Sequence, residues 1–104
     1  MNKKSLLIQQ LSRKMTVFGS IQQTAVPPSG WIRTIRNALG MSLQQLGKKL
    51  SITRQSVQEM EQREQDGTIT LKSLKEVAKA MDMQLVYAFV PVDGTLEDLI
   101  ERKA

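Results

Sequence analysis

Neither histidine nor cysteine occurs in this chain of 104 residues, and only 4% of its residues are aromatic. Those absences remove the usual ligands of zinc, haem and iron-sulfur clusters, the usual general base and any disulfide framework. A glycine-rich phosphate loop is also missing. No catalytic residue, no metal and no cofactor is therefore expected. The longest apolar run falls far short of the roughly 20 residues that cross a bilayer. The basic start, Asn2-Lys3-Lys4, passes through Leu6-Leu7-Ile8 straight into Gln9-Gln10. This pattern lacks the long apolar stretch of a targeting segment and predicts a cytoplasmic protein with no membrane partner.

What the chain does have is positive charge: 15 Lys+Arg against 10 Asp+Glu give a formal net charge of +5. The charge is uneven. Residues 1–29 hold Lys3, Lys4, Arg13 and Lys14 and no acid, whereas residues 84–104 set Asp93, Glu97, Asp98 and Glu101 against Arg102 and Lys103. A basic balance of this kind points to an acidic partner, of which nucleic acid is the commonest.

The length fits one small domain with short attachments. Leu7, Leu11, Met15 and Phe18 fall four, four and three apart, the spacing of one helical face, with Gly19 as the stop. This predicts an N-terminal arm helix. The segment 22–30 contains Pro27 and Pro28, which lack N–H donors and restrict the residues before them, so residues 1–29 read as arm plus linker.

Residues 30–83 show four short helical patterns. Trp31, Ile35 and Leu39 form the face of the first, with Trp31 expected to plug the core. Ser42 followed by Gln45 reads as a capping box opening the second, whose inward residues are Leu43, Leu46, Gly47 and Leu50. After the break Ser51-Ile52-Thr53, Thr53 caps the third, with Val57 and Met60 inward and Arg54, Gln55, Gln58, Glu59 and Gln62 left to solvent. Thr70 caps the fourth, with Leu71, Leu74, Val77, Ala78 and Met81 inside.

Beyond Asp82 the pattern turns extended. Leu85, Val86, Tyr87, Ala88, Phe89 and Val90 are apolar, mostly β-branched or aromatic, and end at Pro91, which reads as a strand buried on both faces. A lone strand among helices has no ladder partner, so these six residues are expected to pair with a second copy of the chain. Asp93-Gly94 then turns the chain, and Thr95 with Asp98 caps a last helix. Residues 84–104 thus read as a dimerisation strand and a short C-terminal helix.

Two short helices joined by a three-residue turn, the second polar outside, form the arrangement of a helix-turn-helix, whose close packing needs a small residue at Gly47. The run Leu43-Gln44-Gln45-Leu46-Gly47-Lys48-Lys49-Leu50-Ser51-Ile52-Thr53-Arg54-Gln55-Ser56-Val57-Gln58-Glu59-Met60-Glu61 resembles the helix-turn-helix of phage-repressor-like (Xre-type) regulators. Such proteins often carry alanine where Gly47 stands and glycine where Ser51 stands, so Ser51 is expected in a left-handed conformation. The tail, Leu85 to Pro91 and then Leu96-Glu97-Asp98-Leu99, looks like the end of the family identified as mobile mystery protein A, and the strand resembles that of HipB-like antitoxins. That resemblance implies an antitoxin or autoregulator with a Fic-type toxin as partner. No Ser or Thr here begins the short glutamate motif by which Fic-inhibiting antitoxins commonly act.

The resulting expectation is an all-α, five-helix repressor-like domain with an arm helix before it and an intermolecular strand after it. It would act as a homodimeric repressor on a palindromic operator, bacterial and nucleoid-associated when bound to double-stranded DNA. Arg54 and Gln55 begin the recognition helix and are suited to guanine and adenine. Glu59 can accept from cytosine or pair with Arg63. Gln44, Ser56, Gln58, Lys48 and Lys49 are candidates for backbone phosphates. Glu61, on the apolar side of its helix, is expected in an internal salt bridge with Arg33 or Arg36. The alternative is a protein-interaction module that neutralises a toxin, with DNA binding secondary.

Overall fold

The computed structural model describes residues 2–103. Six helices follow one another: α1 (Lys3–Gly19), α2 (Trp31–Ala38), α3 (Leu43–Leu50), α4 (Arg54–Asp66), α5 (Leu71–Ala80) and α6 (Leu96–Lys103). They fall into two compact units. One spans Val26–Val86 and holds α2 to α5; the other combines the residues up to Ala25 with those from Tyr87 onward and holds α1 and α6.

In the four-helix unit the starts of the helices are set by side chains. Ser42 and Gln45 close a reciprocal capping box on α3, while the hydroxyls of Thr53 and Thr70 accept from the backbone N–H of Ser56 and Ser73 at 3.0 and 3.1 Å. Each removes an orphan donor from a helix too short to be stable alone. Packing then comes from a core of Ile32, Leu46, Val57, Val77 and Met81, ringed by half-buried Ile35, Met41, Leu43, Leu50, Met60, Ile69 and Leu74. Aliphatic side chains fill it throughout.

One charged pair is buried with them. Arg36 Nε donates to Glu61 Oε2 at 2.6 Å, its second terminal nitrogen donates to Glu61 Oε1 at 3.2 Å, and its first donates to the Met41 carbonyl at 3.0 Å. The fork of the guanidinium thus meets both carboxylate oxygens and one main-chain acceptor, which makes burial of the charges tolerable. Of the two arginines considered from sequence, Arg36 is the partner.

Five expectations are corrected, one of them Leu71, expected inside α5 but 46% exposed. The described residues form six helices in all rather than five, and only four of them, α2 to α5, belong to the repressor-like unit expected to hold five. Trp31 is 48% exposed and Leu39 53%, so α2 buries Ile32 and Arg36 instead, one position round from the expected stripe. Leu7 and Leu11 of α1 are exposed, and the half-buried positions are Ile8, Ser12, Met15, Phe18 and Gly19. No strand forms among the described residues: 84–90 is non-helical and, instead of being buried on both faces, exposes Val86, Tyr87, Ala88 and Phe89, leaving Leu85 and Val90 half-buried. A ladder needs a second strand, and a single chain supplies none.

In the other unit α6 starts on a reciprocal cap, Thr95 N–H to Asp98 Oδ2 at 2.9 Å and Asp98 N–H to Thr95 Oγ1 at 3.1 Å. The Gln22 amide donates to the carbonyls of Pro91 and Val92, both at 3.0 Å, tying the end of the α1 segment to the approach of α6.

Candidate nucleic-acid interface

The geometry of α3 and α4 begins at Gly47. This residue is buried, and an ideal Cβ built on it would lie 2.7 Å from the Ile52 carbonyl oxygen. Only glycine lets the backbone of the turn approach α3 this closely. Its carbonyl accepts from the Ile52 N–H at 2.9 Å, and Ser51 closes α3 in the left-handed region at φ 58°, as the resemblance led one to expect. The turn is therefore short, and α4 leaves it at an angle fixed by backbone contact.

Helix α4 buries Val57 and Glu61 and half-buries Met60 and Glu64. Its other side exposes Arg54, Gln55, Gln58, Glu59 and Gln62, a polar face that starts at the first turn. Arg54 and Gln55 stand immediately after the Thr53 cap with no acid in that turn. Glu59 sits 3.9 Å from Arg63 on the exposed surface, a loose i, i+4 pair of the kind worth little in water. Of the alternatives for Glu59, the free chain thus adopts the Arg63 contact.

The remaining candidates are more spread out. Gln44 is exposed in the first turn of α3, and Lys48 and Lys49 are exposed in its last turn, where cations complement the helix dipole. Ser56 is half-buried, its N–H and hydroxyl both engaged by Thr53, so it serves the cap of α4. Gln58 lines a small polar recess with Arg33, Leu43 and Gln62, over the Arg36–Glu61 pair. The structure thus brings Arg54, Gln55, Gln58 and Glu59 onto one helix face, and leaves Lys48 and Lys49 at the far end of α3.

Sequence reasoning missed Glu64. Its carboxylate accepts from the backbone N–H of Trp31 at 2.8 Å and of Ile32 at 2.9 Å, capping α2 from the third turn of α4. The signal was negative: the position before Trp31 is Gly30, which has no side chain to cap the helix, so the cap had to come from elsewhere. Gln65 adds a bond to the Ser29 carbonyl at 3.2 Å. The recognition-helix candidate is therefore locked to α2 by two carboxylates, Glu61 and Glu64.

Among the described residues no group of three or more acidic side chains could hold a metal ion, and no helix is long and apolar enough to cross a membrane. The helix-turn-helix family model matches residues 32–87, more than half of the chain. The chain belongs to this Xre-like helix-turn-helix family, a family of double-stranded DNA-binding regulators and not of enzymes. Neither the curated proteins nor the solved structures yielded a match.

Proposed function

We propose that the chain is a sequence-specific transcriptional repressor that binds a palindromic operator as a homodimer. The observation that carries this reading is the exposed run Arg54, Gln55, Gln58 and Glu59 on a helix held rigidly by the Gly47 turn and the Glu61 and Glu64 contacts. In this reading Arg54 and Gln55 read guanine and adenine edges and Glu59 exchanges Arg63 for a cytosine amino group. Gln44, Gln58, Lys48 and Lys49 fix register on phosphates, with Ser56 offering at most a secondary contact because its cap occupies it. Two copies of α4 enter successive major grooves roughly 34 Å apart, and occupancy blocks transcription.

Residues 84–90 supply pairing between the two copies, their exposed Val86 and Phe89 being what an intermolecular strand needs to cover. The likeness of the tail to mobile mystery protein A and to HipB-like antitoxins supports autoregulation of a toxin–antitoxin pair in a bacterial cytoplasm, with a Fic-type protein as the toxin. The test is a mobility-shift titration on DNA from the chain's own promoter at increasing salt. Specific binding that weakens steeply with salt supports the reading, since phosphate contacts release counterions. Absent or salt-insensitive binding, with co-purification of a toxin retained, would favour a toxin-neutralising interaction module.

A further inference from the structure

We propose that the unit formed by α1 and α6 is completed by the same unit of a second copy, with α1 of each protomer lying along α6 of the other. None of the described residues of this unit is buried. Leu7, Leu11, Phe89, Val92 and Ile100 are 62%, 42%, 84%, 91% and 40% exposed. Two helices with no buried side chain among their described residues cannot offset the conformational entropy lost in ordering them, so this apolar surface calls for an occupant.

Charge says which occupant and in which arrangement. Helix α1 carries Lys3, Lys4, Arg13 and Lys14 with no acid, and among the described residues none of the four is in an ion pair. In α6, Glu97 and Glu101 are likewise outside any ion pair, while Arg102 is engaged by Asp93 at 3.1 Å. Bringing α1 against α1 would oppose four cations to four, whereas α6, with Glu97, Asp98 and Glu101 against Arg102 and Lys103, is close to balanced against itself and offers no comparable attraction. Laying α1 along the partner's α6 opposes unlike charges, and a two-fold axis makes that contact twice. Exposed ion pairs contribute little affinity each, so they select orientation while the covered leucine, phenylalanine, valine and isoleucine hold the dimer. This inference rests on the homodimer of the proposed function but not on DNA binding.

Sedimentation of the full chain tests it, with two charge-reversed forms, one carrying Lys4→Glu and Lys14→Glu, the other Glu97→Lys and Glu101→Lys. Each alone should dimerise more weakly than the wild type, and an equimolar mixture should recover the dimer, because only the mixed pair opposes unlike charges at both contacts. Leu11→Asp should weaken the dimer about tenfold or more while the urea transition of the four-helix unit stays in place. A wild-type chain that is monomeric at micromolar concentration overturns this inference and the homodimer together. A wild-type dimer whose variants and mixture all behave alike overturns this inference alone, and so does a pair of variants that stay dimeric but lose affinity and salt dependence on DNA, which would make α1 a DNA arm.

Discussion

The carboxylate of Glu64 fills the space that a side chain at Gly30 would need: an ideal Cβ on Gly30 would lie 2.8 Å from Glu64 Oε1. Gly30 has φ 84° and ψ 161°, a region open essentially to glycine alone, and directly after it the N–H groups of Trp31 and Ile32 point at that carboxylate. Gly30→Ala therefore adds backbone strain and displaces a cap, with an expected loss of about 1–3 kcal/mol or more. Glu64→Ala should lose about 1–2 kcal/mol. Urea unfolding should also show the double variant losing less than the sum, because removing the carboxylate relieves the crowding at position 30.

At the turn, two substitutions should act in opposite directions. Gly47→Ala places a methyl 2.7 Å from a main-chain oxygen that cannot move without shifting α4, so stability should fall by about 1–3 kcal/mol and DNA affinity with it. Ser51 occupies the left-handed region at φ 58°, which costs a non-glycine residue roughly 1 kcal/mol, so Ser51→Gly should raise the unfolding midpoint. Thermal unfolding of both variants beside the wild type checks the two signs at once.

The Arg36–Glu61 pair should show the asymmetry of buried charges. Removing one partner leaves the other uncompensated in the core, so Arg36→Met or Glu61→Leu alone should destabilise by about 3–5 kcal/mol. Replacing both with those apolar residues should return much of that loss. A double variant as unstable as the sum of the singles would show that the pair does more than satisfy itself.

Much of this was legible in the sequence because it is local. Ser42, Thr53, Thr70 and Thr95 each stand within three residues of the groups they cap, and Gly47 announces a close approach at a fixed offset within the helix-turn-helix. What stayed hidden depends on distant elements. Trp31 and Ile32 are equally apolar and adjacent, and only the placement of α4, through Glu61 and Glu64, decides that Ile32 turns inward at 2% exposure. The non-helical segment 84–90 is the converse case: its composition asks for a strand, but a strand is a property of a pair. Arg54 and Gln55 could be placed at the start of their helix because the Thr53 cap fixes where that helix begins, and the i, i+4 spacing already offered Arg63 as a partner for Glu59, which side-chain placement bears out as a loose contact.

Arg54 supplies the sharpest test of the reading surface. It is exposed in the first turn of α4, ahead of Gln55, and is in no ion pair among the described residues, so its guanidinium is available as a fork for a guanine edge. Lys48 is equally exposed but sits in the last turn of α3, where an ammonium on a flexible stem meets a phosphate without regard to sequence. Arg54→Ala should therefore lose about 1–3 kcal/mol on the operator, little on unrelated DNA, and relax the preference at one base pair of each half-site. Lys48→Ala should weaken both DNAs about equally and lower the salt slope by about one. Arg54→Lys separates charge from geometry: if only a positive charge matters it restores binding, whereas bidentate pairing requires that it recover affinity for all sequences but not the discrimination at that base pair. Competition titrations with operator and scrambled duplex measure the two quantities separately, and an Arg54→Ala protein that discriminates as the wild type does would move the reading surface away from the start of α4.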